Sequence, residues 1–387
     1  MARPVVSGVL ANLAVGTLFG WSLVAGQAMA DVGAPASTGT AVFAAAIAVF
    51  TLALLGAGRA LRSLGPRRLL AGAAVAAGAG LGVAATGQHP LALWCGVGLL
   101  FGAAGGVSYG VSVGLAARSS DARRGTATGL VVGAYAAGPV LLGLVAPTAV
   151  AAFGWRSCVA GLALVVMSLL VCAAVLAPAD RAARRGRRTE AEPPPGRTVV
   201  LLWLVFAGGA APGLLVFAAA VPLANGRELT PGAAGAAVSL LAAGNLSGRL
   251  VSGWGSDRVG RLPALAGALA VAAASVAGLA GTTAPWLVLG SFAGTGLAYG
   301  AVSALVPAVT ADRVGVRAFP RAYGRVFTAW GCAGLAAPVA GGALTGVDGE
   351  HPALVLVAAV PLVPAAVALL LLAHRTSKGA PAGPAAT

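Results

Sequence analysis

Residues 232–261 read GAAGAAVSLLAAGNLSGRLVSGWGSDRVGR. From Gly232 to Trp254 the only charge is Arg249; Asp257, Arg258 and Arg261 then follow within a few residues of one another around Gly260. An apolar run of about 20 residues is what a helix needs to cross the hydrocarbon of a bilayer. A charge cluster just beyond it marks the return to water. The stretch therefore predicts a transmembrane helix over 232–254 with one arginine well inside it.

The same alternation continues outward in both directions. Apolar runs bounded by charges, prolines and turn residues fall at 5–30, 38–58, 69–87, 91–116, 126–150, 155–177, 199–224, 232–254, 263–281, 285–310, 322–346 and 352–373. Of the 387 residues, 58% are hydrophobic and 9% charged. A soluble domain carries about 25% charged residues, so lipid is the expected solvent. The first run follows only Met1-Ala2-Arg3-Pro4 and is too long for a signal-peptide core, which predicts a retained helix.

Positive charge follows the runs at one end. Arg59, Arg62, Arg67 and Arg68 come after the second, Arg118, Arg123 and Arg124 after the fourth, Arg258 and Arg261 after the eighth, and Arg313, Arg317 and Arg321 after the tenth. The other side carries almost none besides Arg156 and Arg227. The positive-inside rule then puts both termini in the cytoplasm. The net charge of +15 is spread over these clusters without an aromatic-interleaved basic face, which argues against nucleic acid. The arginine-rich stretch around Pro193-Pro194-Pro195 cannot bury a core and predicts a flexible cytoplasmic linker at 178–198. The expected architecture is an all-α membrane protein of twelve transmembrane helices. It comprises a six-helix half at 1–177, the linker, a second half at 199–373 and a disordered cytoplasmic tail at 374–387.

The two halves share spacings. Gly105-Gly106 and Tyr109-Gly110 in the fourth run match Gly294, Gly296 and Tyr299-Gly300 in the tenth. Gly125 precedes Pro139 by the same interval as Gly324 precedes Pro338, and Gly58 precedes Gly65 as Gly253 precedes Gly260. Parallel repeats of this kind place a cavity between the halves near the midplane, exposed to each side in turn by rocking. The 58 glycines suit close, sliding helix contacts.

The segment Gly253-Trp254-Gly255-Ser256-Asp257-Arg258-Val259-Gly260-Arg261 resembles the loop signature of the major facilitator superfamily, and Gly154-Trp155-Arg156 is similar to a further feature of that superfamily. The resemblance implies the twelve-helix, pseudo-twofold fold and a charge-assisted latch at the cytoplasmic helix ends built from Gly253, Asp257, Arg258, Gly260 and Arg261. In the first-half copy Arg62 stands where the aspartate would be, followed by Gly65-Pro66-Arg67-Arg68. Asn245 to Arg249, Tyr109-Gly110, Tyr299-Gly300 through Pro307, Tyr323-Gly324, Phe327 to Gly331 and Ala337-Pro338 resemble the oxalate/formate antiporter and monocarboxylate transporter branch. That resemblance implies that Arg249 binds a substrate carboxylate. Trp330 stands where oxalate carriers place a second cation, and the chain's only lysine is Lys378 in the tail, so one carboxylate is expected rather than two.

Arg249 shares a helical face with Asn245 and Ser252, and its planar fork matches a carboxylate. It also lies near enough to the helix end to reach water or Asp257. Tyr109, Tyr299, Trp330, Tyr323 and Asn12 complete the candidate substrate site, with Tyr135 beside them. Each aromatic serves equally well as helix packing. All ten acidic residues fall at run ends or in loops, so no embedded relay for a proton is visible, and Asp31 is the least distant candidate. Gly138-Pro139 resembles an antiporter motif of drug exporters and reads equally as a kink.

A phosphate-binding loop with lysine, paired intramembrane aspartates and a folded soluble domain are all missing, which disfavours an ATP-driven pump, an enzyme and a scaffold. The four cysteines and three histidines offer no metal or redox spacing, and no cofactor is expected. The expected function is secondary or facilitated transport of a small organic anion, most simply a monocarboxylate, by alternating access, with a counter-anion or proton as partner. The alternative is a proton-coupled exporter of drugs or other small apolar molecules. A multi-pass monomer in a bacterial cell membrane is expected.

Overall fold

Glycine and proline decide where the helices begin and stop. In the computed structural model, which describes residues 2–179, 196–225, 227, 229–345 and 359–377, every regular element among the described residues is helical. Helix α1 (Ala2–Gly16) passes through a 3-10 turn (Thr17–Trp21) into α2 (Ser22–Asp31). It is followed by α3 (Ala36–Leu64), α4 (Pro66–Thr86), α5 (Pro90–Leu93), a π-helical stretch (Trp94–Phe101), α6 (Gly102–Ala116) and α7 (Arg124–Leu176). After the stretch 180–195 come α8 (Gly196–Ala218), α9 (Ala220–Asn225), α10 (Pro231–Val259), α11 (Arg261–Gly281), α12 (Pro285–Thr345) and α13 (Leu362–Ser377).

Several boundaries differ from the sequence expectation for one physical reason. Where a loop of several residues is expected, a single glycine at positive φ turns the chain: Gly65 (φ 81°), Gly154 (76°), Gly260 (90°) and Gly315 (75°). With ψ between 149° and 166° these residues sit in a region essentially reserved for glycine, where an L side chain costs about 1–3 kcal/mol, so glycine allows helix to follow helix with no intervening coil. The run expected to end at 58 continues to Leu64, and the one expected to end at 254 continues to Val259. The supposed signature loop is thus mostly the last turns of α10. The expected loop at 311–321 is helix on both sides of Gly315. The expected linker and tail lie largely outside the described residues.

At 1.5 Å per residue, α7 and α12 would each exceed 75 Å if straight, more than twice a bilayer's hydrocarbon thickness of about 30 Å. Gly154 and Gly315 fold each into two antiparallel limbs, 124–153 with 155–176 and 285–314 with 316–345. Nine stretches among the described residues are long and apolar enough to cross a membrane, these two long ones included. Large apolar side chains face outward along them, among them Leu52, Val75, Leu144, Phe153, Val251 and Trp286. Lipid tails cover such a surface at no hydrophobic cost, whereas water would not.

Before residue 180, α7 packs on α1 and α4, and α3 on α6; after residue 196, α12 packs on α8, α10 and α11, and α13 on α8. The two sets meet along two seams, α7 against α10 and α3 against α12. Pro139 leaves the Tyr135 carbonyl without its helical donor, and Gly16 presses against that carbonyl where any side chain would collide. The motif-like Gly138-Pro139 pair therefore serves the α1–α7 contact, with Gly138 lying against Leu13 and Thr17.

Candidate functional site

The ends of the two sets are joined by charge at one pole. Asp257, near the last turn of α10, accepts from the backbone N–H of Gly125 (2.8 Å) and Thr126 (2.7 Å) and from the Thr126 hydroxyl (2.7 Å). It thereby caps the first turn of α7 from the other set, where free amides and the helix dipole favour an anion. Arg261 Nη2 reaches Asp257 (3.2 Å) and the Asp121 carbonyl (2.6 Å), and its Nε lies 3.1 Å from Asp312. Arg124 pairs with Asp312 and with Asp121 (2.6 Å). Of the residues expected in a latch, Asp257 and Arg261 make polar contacts across the seam and Gly253 a backbone contact. Arg258 instead lies over its own Trp254 ring at 3.7 Å. Asp257 does not hold Arg249.

Below this network the seam is made of glycines. Gly125, Gly129 and Gly133 recur every four residues on α7 and meet Gly253, Arg249 and Leu250 of α10. A Cβ on Gly129 would lie 2.6 Å from the Arg249 carbonyl, and one on Gly253 would lie 2.6 Å from that of Gly125. Backbones this close leave no gap between α7 and α10 along this stripe.

Arg249 comes next along α10. It is 4% exposed, so it does not snorkel to water. Its Nε donates to Asn245 Oδ1 (3.0 Å) one turn earlier, and its Nη1 donates to the Val132 carbonyl of α7 (3.0 Å). Its guanidinium carbon stands 5.7 Å from the centre of the Tyr299 ring. No carboxylate among the described residues forms an ion pair with it.

Around that cation the middle of the molecule is aromatic. Tyr109 of α6, Tyr135 of α7 and Phe50 of α3 stack edge-on or tilted at 5.2–6.1 Å with one another. Phe327 and Trp330 of α12 lie 5.8 and 6.1 Å from Phe50, and Phe19 of the 3-10 turn lies 6.4 Å from Trp330. Trp330 Nε1 donates to the Tyr299 hydroxyl (2.8 Å). Tyr323 stacks on Phe319 and meets Phe327 edge-on. The Tyr135 hydroxyl is buried without a hydrogen-bond partner. An apolar cleft bounded by Thr17, Trp21, Phe101 and Leu142 lies elsewhere, among the helices before residue 180.

Expected site residues thus divide. Arg249, Asn245 and Tyr299 form one contiguous group, Trp330 is bonded to it, and Tyr109 and Tyr323 sit in the aromatic cluster. Asn12 is turned to helix packing, its Nδ2 donating to the Val131 carbonyl (2.8 Å) while its Oδ1 has no partner. Elsewhere on the first run, Gly16 and Gly20 contact α7, and Gln27 is exposed. Sequence reasoning missed Arg124, Asp121 and Asp312 at the charged pole and Phe50 in the middle. The recurrence of glycine at 125, 129 and 133 was the signal available for the first group.

At the opposite pole, Asp31 accepts from Trp155 Nε1 and Arg156 Nε (both 3.0 Å), and Arg156 Nη1 donates to the carbonyls of Ala85 and Gly87 at the end of α4. Arg227 donates to Ala280 and Thr282 at the end of α11. Burial pushes the Arg227 guanidinium below its usual pKa. These two arginines, exceptions to the one-sided charge pattern, satisfy the carbonyls at the C-terminal ends of two helices.

A family model described as Major Facilitator Superfamily matches residues 5–280 and again 200–386. The uncharacterized MFS-type transporter YhjX of Escherichia coli (strain K12) is 22% identical over 338 residues, covering 84% of each chain. Among solved structures, a bacterial homologue of the iron transporter ferroportin in an outward-facing state superposes with TM-score 0.72 at 15% identity, covering 96% of this chain and 100% of that one. The human organic anion transporter MFSD10 (TETRAN) gives 0.67 at 15%, over 95% and 98%. The proton:xylose symporter XylE gives 0.61 at 16%, over 96% and 95%. This chain is a multi-pass membrane transporter and belongs to the Major Facilitator Superfamily.

Proposed function

We propose that the protein is a twelve-helix carrier of two six-helix halves, with its charged pole and both termini toward the cytoplasm of a bacterial cell, and that it moves a small monocarboxylate by alternating access. The observation that carries this reading is Arg249: a buried guanidinium between the two helix sets, with no acidic partner among the described residues. Burying a cation costs several kcal/mol in a membrane interior, and an anionic substrate is the natural compensation. A cationic drug would meet repulsion at the same place, which disfavours the exporter alternative.

The bond from Arg249 to the Val132 carbonyl suggests how binding is coupled to motion. A carboxylate taking both terminal nitrogens as a fork displaces that carbonyl, and the bond it replaces spans the α7–α10 seam. Substrate occupancy and release of the seam then compete for one guanidinium, and this links binding to rocking.

The test is exchange of labelled formate, lactate and pyruvate in proteoliposomes. Arg249→Ala should abolish exchange while keeping the thermal unfolding midpoint close to wild type; uptake at the wild-type rate by this variant removes the site. Trp330→Lys should raise the uptake of oxalate relative to lactate, because it adds a second cation beside Tyr299.

A further inference from the structure

The two seams are closed at the same pole by opposite means. On the α7–α10 seam three carboxylates, Asp257, Asp121 and Asp312, face two guanidiniums, Arg124 and Arg261. On the α3–α12 seam the backbones also touch: a Cβ on Gly58 would lie 2.5 Å from the Pro320 carbonyl, and one on Gly324 would lie 3.2 Å from Leu55 Cα. Here, however, the contact brings arginines together. Arg59 follows Gly58, Arg62 is one turn further along α3, Arg321 follows Pro320, and both neighbours act electrostatically on Arg62. All three are exposed, and among the described residues none has an ion-pair partner. One seam pairs its arginines with carboxylates and the other holds an uncompensated cluster of base, at positions that the internal repeat relates.

We propose that the α3–α12 seam binds the phosphate of an anionic phospholipid headgroup, seated among Arg59, Arg62 and Arg321, and that this headgroup supplies the negative charge that Asp257 supplies on the other seam. Guanidinium forks match phosphate oxygens, and three of them around one anion turn mutual repulsion into attraction. The location favours a lipid. Arg59 and Arg62 lie at the end of α3, whose 29 residues outrun the hydrocarbon thickness and deliver that end to the headgroup layer. A bound headgroup holds the seam closed, because opening separates Arg62 from Arg321.

The test uses the full-length protein in nanodiscs of phosphatidylcholine with or without phosphatidylglycerol, reading the lipid retained by native mass spectrometry and the thermal unfolding midpoint. Wild type should retain phosphatidylglycerol about tenfold over Arg62→Asp and gain stability from it. Arg62→Asp, which places a carboxylate at the seam, should be as stable without the anionic lipid as wild type is with it. Arg67→Asp removes the same charge from the same face away from the seam and should keep the wild-type preference. If Arg67→Asp loses as much lipid as Arg62→Asp, the attraction is a diffuse property of the basic face and the site does not exist. Equal retention by wild type and Arg62→Asp overturns it as well. Inorganic phosphate added to phosphatidylcholine discs should not reproduce the stabilisation, and full reproduction would replace the lipid by a free anion. Should Arg62→Asp fail to fold, Arg321→Gln must show the same loss of phosphatidylglycerol for the proposal to stand.

Discussion

Tyr299 holds the candidate site in shape at the residue scale. Its hydroxyl receives the Trp330 indole N–H, its ring lies below the Arg249 guanidinium, and its Cβ presses on Gly213 of α8, where no other residue fits. Tyr299→Phe keeps the ring and removes one buried hydrogen bond, leaving the indole N–H unpaired, so a loss of about 1–2 kcal/mol in stability is expected, read as a lower thermal midpoint in detergent. Gly213→Ala forces the Tyr299 side chain to move and should cost about 1–3 kcal/mol; an unchanged midpoint would mean that α8 yields there. Arg249 and Asn245 were legible in the sequence because a charge inside an apolar run stands out. The Val132 carbonyl, a backbone atom on another helix, leaves no mark in residue identity.

The decisive elements are α7 and α10. The spacing Gly125, Gly129, Gly133 puts bare backbone on one stripe of α7, and Gly253 answers it from α10. Gly129→Leu should keep these helices but separate them, because its Cβ alone would sit 2.6 Å from the Arg249 carbonyl. Ser256, 1% exposed at this seam, is a suitable reporter. With the native cysteines replaced, Ser256→Cys should be protected from a water-soluble maleimide in the parent and react readily in the Gly129→Leu background. That the chain is built of apolar helices was readable from hydropathy. Their ends were not, since a glycine corner such as Gly315 replaces a whole loop only when both flanking helices have partners to pack on.

At the scale of the whole molecule, the balance between the two helix sets rests on a few charge-assisted contacts at one pole. Asp257→Asn retains an acceptor but turns an amide group toward the N–H donors of Gly125 and Thr126, so the closed arrangement weakens. The Ser256→Cys reporter should then react about tenfold faster or more, as expected for loss of a charged hydrogen-bond partner. Labelling at the parent rate would show that the glycine seam alone keeps this pole shut. The sequence by itself determined that the chain lives in lipid, that its spacings repeat, where charge interrupts its apolar runs and that one arginine lies inside such a run, because each follows from composition and spacing along the chain. Only the tertiary structure decided that Asp257 caps α7, that Arg249 is buried and tied to Val132, that Phe50 joins the aromatic middle and that three arginines meet across the other seam. The physical reason is that these contacts link helices far apart in the chain, and hydropathy records only the solvent of each helix, not its neighbour.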